Sequence, residues 1–228
     1  MFKNILFMGR KGDKYSRSLT IILKKLSKNV SIHFSENINE KVKRNIFKVP
    51  NYWYDYIICY RSFYILTKNE IKKSKLGAIN FHPGPPEYRG IGCVNYALYD
   101  NVKVYGTTAH LISKKIDKGK IINVKKIKVY KNDNVDTLLK RTYFIQYNQA
   151  KKIIKLLSQN YKNLNYLINQ SKKEKWSSKI KKRKELDKFY EIKKSVSKIE
   201  LERKIRSTLT RNYKPYIIIH KKKFSIDF

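Results

Sequence analysis

The residues best suited to chemistry are an amide, an imidazole and a carboxylate at the ends of apolar runs. Asn80 and His82 stand two positions apart at the end of one run, so on an extended strand both side chains leave the same face. Asp117 lies at a second junction between a strand and a turn. Together these groups form an acid–base constellation. A histidine beside a strand end is also commonly a structural residue, and the downstream carboxylate is what favours catalysis.

The loop after His82 strengthens this interpretation. Three prolines and two glycines fall within residues 83–90, which fixes the backbone at some positions and frees it at others, as a loop close to a ligand requires. The motifs Asn80-x-His82-Pro83, Tyr88-Arg89-Gly90 and Asp117-x-Gly119 resemble the signature of the folate-dependent formyltransferases. That family includes methionyl-tRNA formyltransferase, glycinamide ribonucleotide formyltransferase and the sugar N-formyltransferases, and the matching core covers roughly residues 50–125.

The resemblance implies formyl transfer from N10-formyltetrahydrofolate to an amine through a tetrahedral intermediate. Asn80 would donate a hydrogen bond to the developing oxyanion, and His82 would take the proton of the attacking amine. Asp117 would orient His82 or move a proton through a bound water. No metal is expected, because His82 has no companion ligands at zinc spacing.

The resemblance also implies binding residues. The loop after the strand at 56–60 would lie against the pterin ring of the donor, which makes candidates of Tyr60, Ser62, Phe63, Tyr64, Ile65 and Leu66. The four residues 63–66 could instead seal a helix onto the sheet. A capping-box pattern, Thr67 with Glu70 three residues on, predicts that helix.

Two further sets of residues are candidates for binding the acceptor. Tyr88, Arg89 and Gly90 would form the wall where the acceptor enters, with Arg89 available to an acceptor phosphate or to Asp117. Arg89 could equally form a structural salt bridge that pins the loop. Arg10, at the carboxyl end of the first strand, could contact a phosphate or could simply be solvated.

Hydrophobic periodicity predicts an α/β fold, a Rossmann-like, mostly parallel sheet with helices on both faces and a small C-terminal helical and hairpin extension. The expected domains are a catalytic domain at 1–160 and an extension at 161–228, with 171–184 as a linker or surface segment. His110 falls on a strand near the sheet centre, where a buried, hydrogen-bonded role is expected. The predicted strands are near 5–9, 30–34, 56–60, 105–112 and 121–124, the predicted helices near 16–26, 91–99, 136–157, 185–190 and 199–209, and the hairpin near 216–226.

The composition indicates which partners and which cellular compartment to expect. The chain has 53 Lys and Arg against 17 Asp and Glu, a net charge of +36, and this excess could reflect an anionic partner or the codon bias of an AT-rich genome. Two separated cysteines, the absence of a long apolar run and a strand-like N-terminus predict a cytoplasmic protein with no membrane segment.

The acceptor is the open question. The tRNA enzyme has a Ser-Leu-Leu-Pro run after its His-Pro and a larger C-terminal barrel, whereas this chain has Gly84-Pro85-Pro86-Glu87 and ends at Phe228. Both differences favour a nucleotide-linked amino sugar, and the charge favours tRNA. A non-catalytic relative that binds folate or RNA is the alternative class, and a homodimer is possible.

Overall fold

Strands and helices alternate along the chain, which a computed structural model describes over residues 1–36 and 48–226. The strands are β1 (Phe2–Arg10), β2 (Ser27–Ser35), β3 (Tyr54–Tyr60), β4 (Ser74–His82), β5 (Arg89–Gly90), β6 (Val104–Leu111), β7 (Ile121–Lys128), β8 (Ile180–Lys181), β9 (Tyr216–Ile219) and β10 (Lys222–Ser225). The helices are α1 (Lys14–Leu26), α2 (Lys68–Ile71), α3 (Cys93–Tyr99), α4 (Val135–Gln159), α5 (Asn163–Gln170), α6 (Arg183–Phe189) and α7 (Lys198–Thr208).

Six strands form the main sheet in the order β2-β1-β3-β4-β6-β7. The pairs β1–β2, β1–β3 and β3–β4 are parallel, and β4–β6 is antiparallel. The predicted mostly parallel α/β sheet is therefore confirmed. The antiparallel pair places the end of β4 beside β6.

Helices cover both faces of this sheet, as predicted. Successive residues of β1 point to opposite sides, so Ile5 and Phe7 join a core that includes residues of α1 and α4. Leu6 and Met8 join a second core against which Ile71 of α2 packs. Burial on both faces explains why the central strands are continuous apolar runs.

The chain divides into two compact units. The first contains the described part of Met1–His82 together with Thr108–Val124 and Gln146–Glu174, and it holds both cores just described. The second contains Pro83–Thr107, Lys125–Ile145 and the residues from Lys175 onward. The predicted domain boundary at residue 160 remains a prediction.

The second unit has its own apolar core, built on α3. Val94, Ala97 and Leu98 of α3 pack with Tyr105 and Leu138. Helix α7 is tied to α3 by a hydrogen bond from Asn95 Nδ2 to the Ser207 carbonyl, at 2.8 Å. The predicted hairpin is confirmed as the antiparallel pair β9–β10.

Some short elements were not predicted. Helix α5 follows α4 directly, and β8 lies inside the segment 171–184 that was expected to be a linker or surface segment. β8 pairs in parallel with β5, which was also not predicted. None of the helices in the described ranges is both long enough and apolar enough to cross a bilayer.

Candidate active site

The antiparallel register of β4 and β6 brings two polar side chains together. Asn80 lies opposite His110, and His82 lies opposite Thr108. The Nδ2 of Asn80 is 3.2 Å from Nε2 of His110, while Nδ1 of His110 is 2.8 Å from the Leu111 carbonyl oxygen. A proton on Nδ1 satisfies that carbonyl, so Nε2 can accept from the Asn80 amide. His110 is thereby fixed in orientation beside Asn80.

The carboxylate of Asp117 lies close to both His82 and His110. Its Oδ2 is 3.5 Å from Nδ1 of His82, and its Oδ1 is 3.4 Å from Nε2 of His110. The residues are 9%, 4% and 2% exposed in the order Asp117, His82, His110. The three residues predicted to form the site therefore lie together, and His110 is a fourth member of the cluster. Within residues 1–36 and 48–226, no group of three or more His, Cys, Asp or Glu side chains has an arrangement that could hold a metal ion.

The turn that carries Asp117 is held by its backbone. Asp117 has φ of 44°, a left-handed conformation that aspartate tolerates better than most residues. Two residues later, a Cβ on Gly119 would lie 1.6 Å from the carbonyl oxygen of Leu111, so only glycine fits there. The Leu111 N–H donates to the Lys120 carbonyl at 2.9 Å. The turn is thus packed directly against β6, next to His110.

A cavity of about 220 Å³ lies beside this cluster. Four of the six residues predicted to bind the donor line it: Ser62, Tyr64, Ile65 and Leu66. The other residues that line it are Cys59, Asn80, His110, Ile112, Ser113, Lys114, Lys115, Ile116 and Asp117.

The other two predicted donor-binding residues lie elsewhere. Tyr60 is fully buried in the core, with its ring 6.1 Å from that of Phe81. Phe63 lies under the guanidinium of Arg10, whose Cζ is 4.1 Å from the ring centroid. Arg10 and Phe63 line a separate open groove with Lys11 and Glu36. Arg10 therefore lies where β1 ends, as predicted, on an aromatic face.

Side-chain hydrogen bonds hold the loop 61–66 between β3 and α2. Ser35 Oγ donates to the Gly9 carbonyl at 3.0 Å and accepts from the Phe63 N–H at 2.8 Å. Ser62 Oγ accepts from the Tyr64 N–H at 3.0 Å. Both hydroxyls, themselves 3.1 Å apart, thus fold the loop back toward β2.

An ion pair fixes the start of this loop. Arg61 has φ of 55°, and its Nη1 lies 2.5 Å from Oδ1 of Asp13. Asp13 caps α1, accepting from the N–H and the hydroxyl of Ser16 at 2.8 Å each. The left-handed conformation of Arg61 is thereby supported by a partner at the start of α1.

The far end of the loop is tied to α2. Tyr64 donates its hydroxyl proton to Oε1 of Glu70 at 2.5 Å, and Glu70 also closes the predicted capping box with Thr67. Burial and this hydrogen bond raise the pKa of Tyr64. Burial favours a higher pKa for Glu70, but the hydrogen bonds from Tyr64 and Thr67 outweigh it and lower that pKa below its ordinary value of 4.5.

Cys59 lines the cavity as a neutral thiol. Burial, with a smaller contribution from the charge of Glu70, raises the pKa of Cys59 to about 12. Since the thiolate is the nucleophilic form, this side chain contributes apolar surface rather than a nucleophile.

Tyr88, Arg89 and Gly90 lie in the second unit. Tyr88 donates to Oδ2 of Asp100 at 2.8 Å, and Nη1 of the buried Arg89 donates to the Ser177 carbonyl at 2.8 Å. Gly90 has φ of +88°, and a Cβ there would lie 2.2 Å from the Lys181 carbonyl oxygen. Pairing with Ile180 and Lys181 thus anchors Arg89 and Gly90 of β5 against β8. Their role toward an acceptor remains a prediction.

Comparison with known proteins identifies the class. A family model described as formyl transferase matches residues 6–149, more than half of the chain. The chain belongs to the formyl transferase family, which confirms the resemblance seen in its motifs. The bifunctional polymyxin resistance protein ArnA of Wigglesworthia glossinidia brevipalpis is 28% identical over 146 residues, which are 60% of this chain and 21% of that protein. The chain spans 9% to 24% of the length of the curated relatives it matches.

Solved structures of similar fold match nearly the whole chain. A 4-N formyltransferase from Francisella tularensis superposes with a TM-score of 0.69 at 20% identity, covering 99% of this chain and 97% of that one. An N-formyltransferase from Helicobacter canadensis, solved with folinic acid and dTDP-3-aminofucose, has a TM-score of 0.64 at 18% identity and covers 97% of this chain and 85% of that one. At these identities the likeness establishes the fold.

Proposed function

We propose that this chain transfers a formyl group from N10-formyltetrahydrofolate to an amine. The observation that carries the proposal is the cluster in which Asp117 lies within 3.5 Å of both His82 and His110, with Asn80 hydrogen-bonded to His110 beside the cavity. An amide donor, an imidazole and a carboxylate are the groups that acyl transfer to an amine needs.

Asn80 is the proposed donor to the formyl oxygen. It lines the cavity, and His110 orients its carboxamide from the neighbouring strand. As the amine attacks, negative charge builds on that oxygen, and a preorganised N–H stabilises the charge by roughly 3 kcal/mol. His110 then acts through Asn80 as a positioning residue.

His82 is the proposed base. With Nδ1 directed at the Asp117 carboxylate, the neutral imidazole carries its lone pair on Nε2. Nε2 takes the proton of the amine as the new C–N bond forms, and the bond between the formyl carbon and N10 of the donor breaks. Asp117 stabilises the resulting imidazolium, from which the leaving nitrogen can recover a proton.

The cavity has a suitable lining for the donor. Backbone groups and short polar side chains of the loop 61–66 can pair with a pterin, and Leu66 and Cys59 supply apolar contacts. When bound, the folate supplies the activated formyl group. The residues present therefore fit the donor that the family implies.

A nucleotide-linked amino sugar is the proposed acceptor. Two structural neighbours that match this chain over 99% or more of its length are described as a sugar N-formyltransferase and a likely sugar N-formyltransferase, and an N-formyltransferase that matches 97% of it was solved with dTDP-3-aminofucose. Arg10 and Lys11, in the groove at the end of β1, are candidate contacts for its phosphates. Methionyl-tRNA is the second candidate, favoured by the net charge of +36.

The test is an assay with both acceptors. The protein is incubated with N10-formyltetrahydrofolate and either a dTDP-linked amino sugar or methionyl-tRNA, while folate release and the mass of the product are followed. We expect Asn80→Ala and His82→Ala to lower kcat by about 10²- to 10³-fold while 5-formyltetrahydrofolate still binds.

The control is His220→Ala, which removes an exposed imidazole from the turn between β9 and β10 and should leave kcat unchanged. Full turnover by both active-site variants would reject the assigned roles. Absence of formylated product with every amine tested would reject the proposed reaction.

A further inference from the structure

Helix α4 has two buried glutamines on the side that packs against the main sheet. Gln146 is fully buried, and Gln149 is 2% exposed. Apolar residues of the same helix, among them Ala150 and Ile153, pack into the core shared with β1 and α1. A buried side-chain amide costs free energy unless it is hydrogen-bonded. The bonds that the two glutamines make therefore indicate why an amide stands at each position.

Both glutamines donate to a backbone carbonyl of a strand. Gln146 Nε2 donates to the Phe81 carbonyl oxygen at 2.8 Å, and Gln149 Nε2 donates to the Asn123 carbonyl oxygen at 3.0 Å. Because a carbonyl oxygen only accepts, each amide must turn its NH2 group toward the strand. Phe81 precedes His82 at the end of β4, whereas Asn123 belongs to β7, no residue of which lines the cavity. Of these two bonds, only that of Gln146 reaches the strand end that carries the proposed base.

We propose that Gln146 is a positioning residue, which sets the direction of the His82 imidazole through the Phe81 carbonyl. The inference rests on the proposed function, because it takes His82 as the base that removes the proton of the amine. It gives His82 the kind of support that His110 gives to Asn80. Gln146 does not line the cavity, so it acts on the reaction through His82.

The bond to Phe81 acts on the backbone of His82. The Phe81 carbonyl and the His82 N–H belong to one planar peptide group, so a bond that holds the carbonyl also holds the plane. This limits the rotation of the backbone at His82 and, with it, the direction of the side chain. His82 is the last residue of β4, and the next residue, Pro83, has no N–H with which to extend the hydrogen bonds of the sheet. The bond from α4 therefore supports the strand where it ends.

The direction of His82 matters because its contact with Asp117 is long. Nδ1 of His82 and Oδ2 of Asp117 are 3.5 Å apart, near the upper limit for a hydrogen bond. A small shift of the imidazole away from Asp117 would break the contact that leaves Nε2 free to take the proton. Misplacement of a base slows proton transfer without weakening the binding of substrates. The expected signature is a lower kcat with unchanged KM.

Gln146→Met removes the donor but keeps the length of the side chain. Steady-state kinetics use N10-formyltetrahydrofolate and the acceptor, a dTDP-linked amino sugar or methionyl-tRNA, that the wild type formylates. We expect kcat to fall about tenfold, with KM for both substrates and the affinity for 5-formyltetrahydrofolate unchanged. Gln146→Asn, whose amide is one methylene too short to reach Phe81, should give the same result.

NMR of the protein without substrates provides a readout besides activity. The chain has four histidines, so their ring resonances can be assigned by substitution. In both Gln146 variants the ring resonance of His82 should shift, while that of His220 should not.

Gln149→Met is the matched control, because it removes the same group from the same helix. It breaks bonds to the carbonyl oxygen and to Oδ1 of Asn123, at 3.0 and 2.9 Å, so it should lower the unfolding temperature at least as much as Gln146→Met. Its kcat and its His82 resonance should nevertheless match those of the wild type.

A wild-type kcat or an unshifted His82 resonance in a Gln146 variant that folds would overturn the positioning role. An equal fall in kcat in Gln149→Met would also overturn it, since general loosening of α4 would then explain the loss. Failure of both Gln146 variants to fold would make the bond to Phe81 purely structural. A wild type that formylates neither acceptor would instead overturn the proposed function, and the His82 resonance would still show whether Gln146 directs that side chain.

Discussion

Two segments line the same cavity, but different forces hold them in place. The turn from Leu111 to Lys120, which carries Asp117, is fixed by backbone contacts: the Leu111 N–H donates to Lys120, and Gly119 packs against the Leu111 carbonyl. The loop 61–66 is fixed by side chains, through Ser35 and the pairs Arg61–Asp13 and Tyr64–Glu70.

This difference predicts how the position of each segment responds to pH and salt. Backbone packing depends on shape, so the backbone of this turn should change little with pH or salt. The loop 61–66 depends on ionised groups, so its position should respond to both. The end of the cavity proposed for catalysis thus has a fixed geometry, whereas the end proposed for the donor can adjust.

The largest expected effect is at Gly119. In Gly119→Ala the new Cβ would meet the Leu111 carbonyl oxygen at 1.6 Å, and backbone cannot yield as a side chain can. The turn must move away from β6, and we expect a loss of about 3 kcal/mol of unfolding free energy. Because Asp117 moves with the turn, kcat should fall about 10²-fold. Urea unfolding and steady-state kinetics measure the two effects.

Gly12→Ala provides the matched control for stability. Gly12 also has a positive φ, +77°, but a Cβ there meets nothing within 4 Å. We expect it to cost about 1 kcal/mol from backbone strain alone. Equal losses at the two positions would contradict the claim that steric packing holds the Asp117 turn.

The same contrast explains what could be predicted from the sequence. Asn80, His82 and Asp117 were found because period-two alternation and short motifs are local signals. The role of His110 beside Asn80 depends on the register between β4 and β6, which the spacing of residues does not encode. Sequence therefore identified three residues that lie together at the candidate site, but not all of the residues around them.

Other features could not be predicted from the sequence, for related reasons. The pairing of β5 with β8 joins Gly90 to Lys181, and two-residue strands leave no alternation to detect. The sequence predicted that residues 61–66 form one loop. It did not predict which of their side chains line the cavity, because that depends on the backbone φ angle of each residue. The left-handed conformation of Arg61 is one cause, and its partner Asp13 is 48 positions away.

An intermediate effect is expected at Arg61. Arg61→Ala removes the ion pair with Asp13 and places alanine at φ of 55°, whereas Arg61→Gly removes the pair but accepts that backbone. Because the pair is largely buried, we expect the unfolding free energy to fall by about 2 kcal/mol for alanine and about 1 kcal/mol for glycine. Donor affinity should fall in both variants, with kcat at saturation nearly unchanged.

Calorimetry for 5-formyltetrahydrofolate and thermal unfolding provide the measurements. Arg17→Ala, an exposed arginine on α1, is the control for loss of charge without loss of the loop contact. A fall in kcat as large as that expected for Gly119→Ala, with no change in donor affinity, would contradict this prediction. The loop 61–66 would then affect turnover in the same way as the Asp117 turn.

The smallest effect concerns the pH dependence set by Glu70. Its pKa is lowered in the folded protein, so its ionised form stabilises the fold above its ordinary value of 4.5. That contribution is lost as pH falls through the lowered pKa. Glu70→Gln keeps an acceptor for the capping box but has no charge. Since Glu70 is partly exposed, we expect the variant to be less stable at pH 7 by less than about 1 kcal/mol.

The difference between wild type and Glu70→Gln should shrink as pH is lowered below 4.5, because the wild-type carboxylate becomes protonated and the two side chains then carry the same charge. Tyr64→Phe sharpens the test: it removes one hydrogen bond to Glu70 at 2.5 Å but keeps the capping box, so its pH dependence should lie between the other two. Unfolding by urea at several pH values measures all three. A gap that stays constant from about pH 7 to about pH 3 would mean that packing, rather than ionisation, holds the loop 61–66 to α2.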